Sequence, residues 1–146
     1  MKVALIVNQG TLGNTKRLAE DMGKNHPEFE MFLLKQAPDN LRDYDLIGFG
    51  SAPYAFKWPL PMIKYIERVE LNEGTKCFFF STSASGKTFY GKAKKAAKNR
   101  GLQILGKFAI YGHMKLGKIE TGKKHPNEKD FAKAEKKLQN ILGKIK

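Results

Sequence analysis

The chain has 146 residues, 41% hydrophobic and 28% charged, with 27 Lys/Arg against 14 Asp/Glu for a formal net charge of +13. This length and apolar content fit one domain spanning residues 1–146, and no apolar stretch reaches membrane-spanning length. The single cysteine, Cys77, leaves no intrachain disulfide, and His26, His113 and His125 are scattered without metal-ligand spacing.

Val3, Ala4, Leu5, Ile6 and Val7 form a continuous apolar run, the pattern of a strand buried on both faces of a parallel sheet. Because the N-terminus enters this strand with no signal-peptide pattern, a cytoplasmic protein is expected. Asn8, Gln9 and Gly10 end the strand. Thr11, Leu12, Gly13, Asn14 and Thr15 then lead into a helix over 14–24, with Leu18, Ala19 and Met22 on one side and Lys16, Arg17, Glu20 and Asp21 outward. A strand, loop and helix in this order gather free backbone N–H groups, a positive helix end and hydroxyls into one small volume. A phosphate monoester can be held there without a basic side chain.

Further strands are predicted over 28–34, 45–50, 76–81 and 103–110, and helices over 61–69, 87–100 and 127–142, with a short helical turn over 40–44. The alternation predicts an α/β fold, a five-stranded parallel sheet with helices on both faces. Cys77 lies in the apolar run of the fourth strand, where a buried, inert thiol is expected. Residues 112–126 are rich in Gly and Lys and lack periodicity, which reads as a mobile surface loop. Ser81 to Thr88 nearly match the P-loop pattern, but Ser81 stands where its first glycine is needed, and Asp43 and Asp45 lie at the entry side of the third strand rather than at its carboxyl end. An NTPase is therefore disfavoured.

At Gly10-Thr11-Leu12-Gly13-Asn14-Thr15 the chain resembles the flavodoxin family, whose phosphate loop usually reads Ser/Thr-x-Thr-Gly-x-Thr and closes on the phosphate of FMN. The place after a first strand, Gly13, Asn14 and Thr15 agree; Gly10 and Leu12 stand where the family has hydroxyls. The resemblance implies a doubly wound, flavodoxin-like sheet of order 2-1-3-4-5, with its ligand at the carboxyl ends of the strands. The loops after strands one, three and four would then converge. By the same resemblance FMN is the cofactor: Gln9, Gly10, Thr11, Leu12, Gly13, Asn14 and Thr15 would hold its phosphate. Ser51, Ala52, Pro53 and Tyr54 would cover its ring, and Thr82, Ser83, Ala84, Ser85 and Gly86 would offer backbone hydrogen bonds to its pyrimidine edge. Tyr54, Phe56 and Trp58 compete for the stacking place, and Tyr54 is preferred because it is nearest the strand end.

Residues 1–75 contain nine Lys/Arg and ten Asp/Glu, whereas residues 76–146 contain eighteen and four. This departs from flavodoxins, most of which are acidic. In the expected sheet strands four and five are edge neighbours, so the positive field covers one side and implies an acidic partner. A monomeric electron carrier between redox partners is the expected function, with an acidic redox protein, a ferredoxin or a reductase domain, as partner and with no catalytic side chains. The alternatives are an FMN-dependent reductase of a quinone or other small acceptor, and a basic module that binds acidic protein or nucleic acid without flavin. No recognised nucleic-acid module is present in the sequence, and helical lysines among alanines read as a solvated face.

Overall fold

In the computed structural model, which describes residues 1–10, 12–116, 119–121 and 124–145, the order is β1 (Val3–Asn8), α1 (Asn14–Asn25), β2 (Phe29–Leu33), a 3-10 turn (Leu34–Gln36), β3 (Leu46–Ser51), α2 (Leu60–Arg68), β4 (Lys76–Ser83), α3 (Gly91–Asn99), β5 (Gln103–Tyr111), β6 (Met114–Leu116), β7 (Ile119–Thr121) and α4 (Glu128–Gly143). The main sheet has the order β2-β1-β3-β4-β5 with every pairing parallel. The expected α/β architecture and strand order are present.

The unbroken apolar run of β1 is explained by its two neighbours in depth. Val3, Leu5 and Val7 face one buried cluster with Leu18, Ala19 and Met22 of α1 and Ala134, Leu138 and Ile141 of α4. Ala4 and Ile6 face the other, with Met62, Tyr65 and Ile66 of α2 and Ala93, Ala96 and Ala97 of α3. In the register of β3 with β4, Gly48 lies beside Phe78 and Gly50 beside Phe80. A Cβ on Gly48 would fall 2.5 Å from the Phe78 ring, and one on Gly50 2.1 Å from the Phe80 ring, so the two glycines make room for the aromatic surface of the α1/α4 face. Phe78 and Phe80 continue that surface to Phe108 at 6.2 Å each. A second tie closes this face: His26 after α1 bonds Glu135 of α4 at 2.8 Å and stacks on Phe29.

Three expectations are corrected. The helix expected over 87–100 starts only at Gly91, because Phe89 has φ 48°, outside helical backbone. The fourth strand runs past residue 81 to Ser83, since Thr82 and Ser83 pair with Ile110 and Tyr111 of β5. Residues 112–126, read as an aperiodic loop, contain the antiparallel pair of β6 with β7. Strands of three residues are too short for a period to register, and 117, 118, 122 and 123 lie outside the described residues. No helix among the described residues is long and apolar enough to cross a membrane.

Candidate functional site

β1, β3 and β4 are adjacent and parallel, so the loops that follow them leave the same edge of the sheet. Gly10 and Gly13 both take positive φ, 68° and 70°, a conformation that costs a residue with a Cβ of order 1 kcal/mol. α1 starts from Gly13 with no side-chain cap and no acid in its first turn. The amide N–H groups of Leu12, Gly13, Asn14 and Thr15 donate to no group among the described residues. A Cβ on Gly10 would meet nothing within 4 Å, whereas one on Gly13 would lie 3.9 Å from the Gln9 amide nitrogen. Orphan donors at the positive end of a twelve-residue helix suit an anionic oxygen cluster. The residues present therefore fit a phosphate. Thr11 lies outside the described residues.

The side chains of this loop are largely engaged elsewhere. The Thr15 hydroxyl is fully buried and shares a 2.8 Å hydrogen bond with the Thr82 hydroxyl. Asn14 is buried, accepts from the Arg17 guanidinium and donates to the carbonyl of His113. What remains for an anion is mainly backbone, with the exposed Arg17 held beside the helix start. Arg17 was legible only as an outward residue of an amphipathic helix, because its contact with Asn14 depends on side-chain direction within the first turn.

After β3, Ser51 is buried; its carbonyl accepts from the Ser81 hydroxyl at 2.6 Å, and Asn8 donates to its Oγ at 3.4 Å. Ala52 and Pro53 are half-buried. Tyr54 and Lys57 then exchange backbone hydrogen bonds of 2.7 and 3.1 Å across a two-residue tip. Both tip residues, Ala55 and Phe56, have positive φ (51° and 63°), the signature of a type I′ turn that normally takes Asn-Gly. The turn lifts Tyr54 and Phe56 to 74% and 81% exposure, while Trp58 is 2% exposed and donates its ring N–H to the Thr88 carbonyl at 2.8 Å. Of the three aromatics, Trp58 belongs to the core, and Tyr54 and Phe56 remain at the surface.

At the end of β4, Thr82 and Ser83 are buried, and after it Ala84 and Ser85 are exposed. The Ser83 hydroxyl donates to the Lys87 carbonyl at 2.8 Å, and Gly86, at φ 72°, lies where a Cβ would come within 3.3 Å of the Tyr111 ring. Tyr111 packs in turn on His125, whose Nδ1 is 2.6 Å from Asp130. Phe89, the third residue with a side chain at positive φ, meets the Phe56 ring edge-on at 5.5 Å. All three strained residues among those described thus sit where the loops of β3 and β4 meet, the kind of place where strain serves a function. Phe89 was not singled out from the sequence, since positive φ at an aromatic has no sequence signal.

No family model matches the chain. It is 30% identical over 149 residues to the uncharacterized protein MJ0298 of Methanocaldococcus jannaschii, covering 97% of this chain and 99% of that protein. The chain belongs to the family of that protein. The solved structure of a flavodoxin from the domain Archaea shares the fold of this member of the MJ0298 family, with a TM-score of 0.73 at 18% identity over 98% of each chain. A flavoprotein from Lactobacillus acidophilus NCFM, solved in complex with FMN, gives a TM-score of 0.59 at 18% identity over 75% of this chain and 93% of its own. At these identities the likeness is one of fold, and the fold is flavodoxin-like.

Proposed function

We propose that the chain binds FMN across the loops of β1, β3 and β4 and serves as an electron carrier between redox partners. The observation that carries this reading is the set of uncommitted amides at Leu12 to Thr15, at the same edge of the sheet as the β3 loop that exposes Tyr54 and Phe56. The FMN bound by the Lactobacillus acidophilus flavoprotein supports it. When bound, FMN supplies the redox chemistry.

The chain's residues would hold and shield it. The amides of residues 12–15 and the helix end would take the phosphate, with Gly10 and Gly13 letting the backbone approach closely. Tyr54 on its strained turn would offer a ring face, and the exposed Ala84–Ser85 backbone would offer polar edges to the flavin heterocycle. Phe56, against Phe89, would exclude water from one side. Thr15, bonded to Thr82, would position the first loop relative to the third rather than touch the phosphate.

Titration of the purified protein with FMN and with riboflavin, followed by absorbance and flavin fluorescence quenching, tests the reading. FMN should bind more tightly than riboflavin, and Gly13→Ala should weaken FMN by about 1 kcal/mol or more while changing riboflavin little. A colourless protein that rejects both flavins refutes the proposal.

A further inference from the structure

β5 is the edge strand of the sheet, and among the described residues it pairs with β4 alone. A groove of about 480 Å³ at this strand has Lys107, Phe108 and Ala109 in its lining. Lys87, Phe89 and Tyr90 form one wall, Lys133 and Lys137 of α4 the other, and among the described residues no Asp or Glu lines it. The two α4 lysines are one helical turn apart and point together. The Lys107 ammonium lies 5.0 Å from the centre of the Tyr90 ring, and none of the four lysines is in an ion pair among the described residues. Four exposed, unneutralised ammonium groups therefore flank backbone that has no neighbouring strand on its outer side among the described residues.

We propose that this groove receives an extended, carboxylate-rich segment of a partner protein, laid along the open edge of β5. An added strand would gain backbone hydrogen bonds from the edge, and carboxylates on it would meet lysines on both walls. Lysines beside an edge repel a second copy of the same basic chain, so the charge that protects β5 from self-pairing also selects an acidic visitor. A nucleic-acid duplex could reach the lysines on the rim but would leave the strand edge unused. Phe89 belongs to this groove and also touches Phe56, so the segment would lie next to the loops assigned to the flavin. As a place where a redox partner is held, the groove rests on the FMN reading; as a binding surface it stands without it.

The test uses a fluorescein-labelled peptide of alternating Glu and Thr, its Gln–Thr counterpart and a random-sequence DNA duplex, followed by fluorescence anisotropy at low salt. The Glu peptide should bind, the Gln peptide should not, and Lys133→Gln/Lys137→Gln should weaken binding about tenfold. Lys35→Gln/Lys64→Gln, exposed lysines away from the groove, should leave it unchanged. Hydrogen exchange at residues 107–109 should slow when the Glu peptide binds. Equal loss from the distant lysine pair, unchanged exchange at 107–109, or tighter binding of the duplex overturns the proposal. The peptide is titrated with and without FMN. Peptide binding without FMN uptake supports the groove and refutes only the flavin reading; FMN uptake without peptide binding refutes only the groove.

Discussion

Thr15, at the start of α1, and Thr82, at the end of β4, join their hydroxyls at 2.8 Å across a fully buried contact. The strands that feed these two residues are separated in the sheet by β3, so one hydrogen bond fixes the first loop against the third. Thr15→Val and Thr82→Val keep the shape and remove the bond; each should cost about 1 kcal/mol of stability in urea unfolding. The double variant should cost little more than either single one, because the two hydroxyls serve one interaction. Additive losses would mean that each hydroxyl has a separate role.

The Ala55-Phe56 tip places two residues with a Cβ in a conformation that favours glycine and asparagine. Ala55→Asn should raise the unfolding free energy by about 0.5–1 kcal/mol, since Ala55 is exposed and the exchange relieves strain without removing a core contact. Phe56→Gly relieves similar strain but loses the contact with Phe89, so its net effect should be smaller. A loss of stability in Ala55→Asn would show that the turn is held by something other than its backbone bonds.

Gly50 lies under the Phe80 ring with no space for a methyl group. Gly50→Ala should destabilise the protein by about 1–3 kcal/mol through overpacking. Combined with Phe80→Leu it should cost less than the sum of the two changes, because the smaller side chain vacates the same volume. Chemical denaturation of the three variants checks this.

Burial pushes the Cys77 thiol up from 9.0 to about 12. The folded chain therefore keeps a proton that the unfolded chain releases above pH 9, and stability falls as pH rises from about 9 towards 12. Relative to the parent, Cys77→Ala should lose less stability with pH across that window. At pH 8 a thiol reagent should label the parent only after unfolding. Rapid labelling of the folded protein would contradict the burial of this side chain.

The order of the five sheet strands and four helices was legible from apolar signals such as the β1 run, the Leu18–Met22 stripe and the Phe78–Phe80 triplet. The loop before α1 was legible as Gly and Thr following a strand, although the commitment of Thr15 to Thr82 was not, since that partner lies 67 residues away. Trp58 could not be separated from Tyr54 and Phe56 by spacing. Its burial depends on the turn at Ala55-Phe56, and nothing in those two residues announces positive φ. The edge groove was legible only as excess charge, because Lys87, Lys107, Lys133 and Lys137 come together through the packing of α4 against β5.

The two faces of the sheet are completed at different points along the chain. α2 and α3 cover one face by residue 99, whereas Leu138 and Ile141 reach the other only when α4 is made. During synthesis, Leu5, Phe80 and Phe108 must therefore wait half-covered by α1 until residues 128–143 have left the ribosome. The bond from His26 to Glu135 joins the first helix to the last, so it is a contact that no nascent chain can make early. A ribosome paused before α4 would hold a chain with one finished face and one sticky one, the form in which a chaperone would meet it.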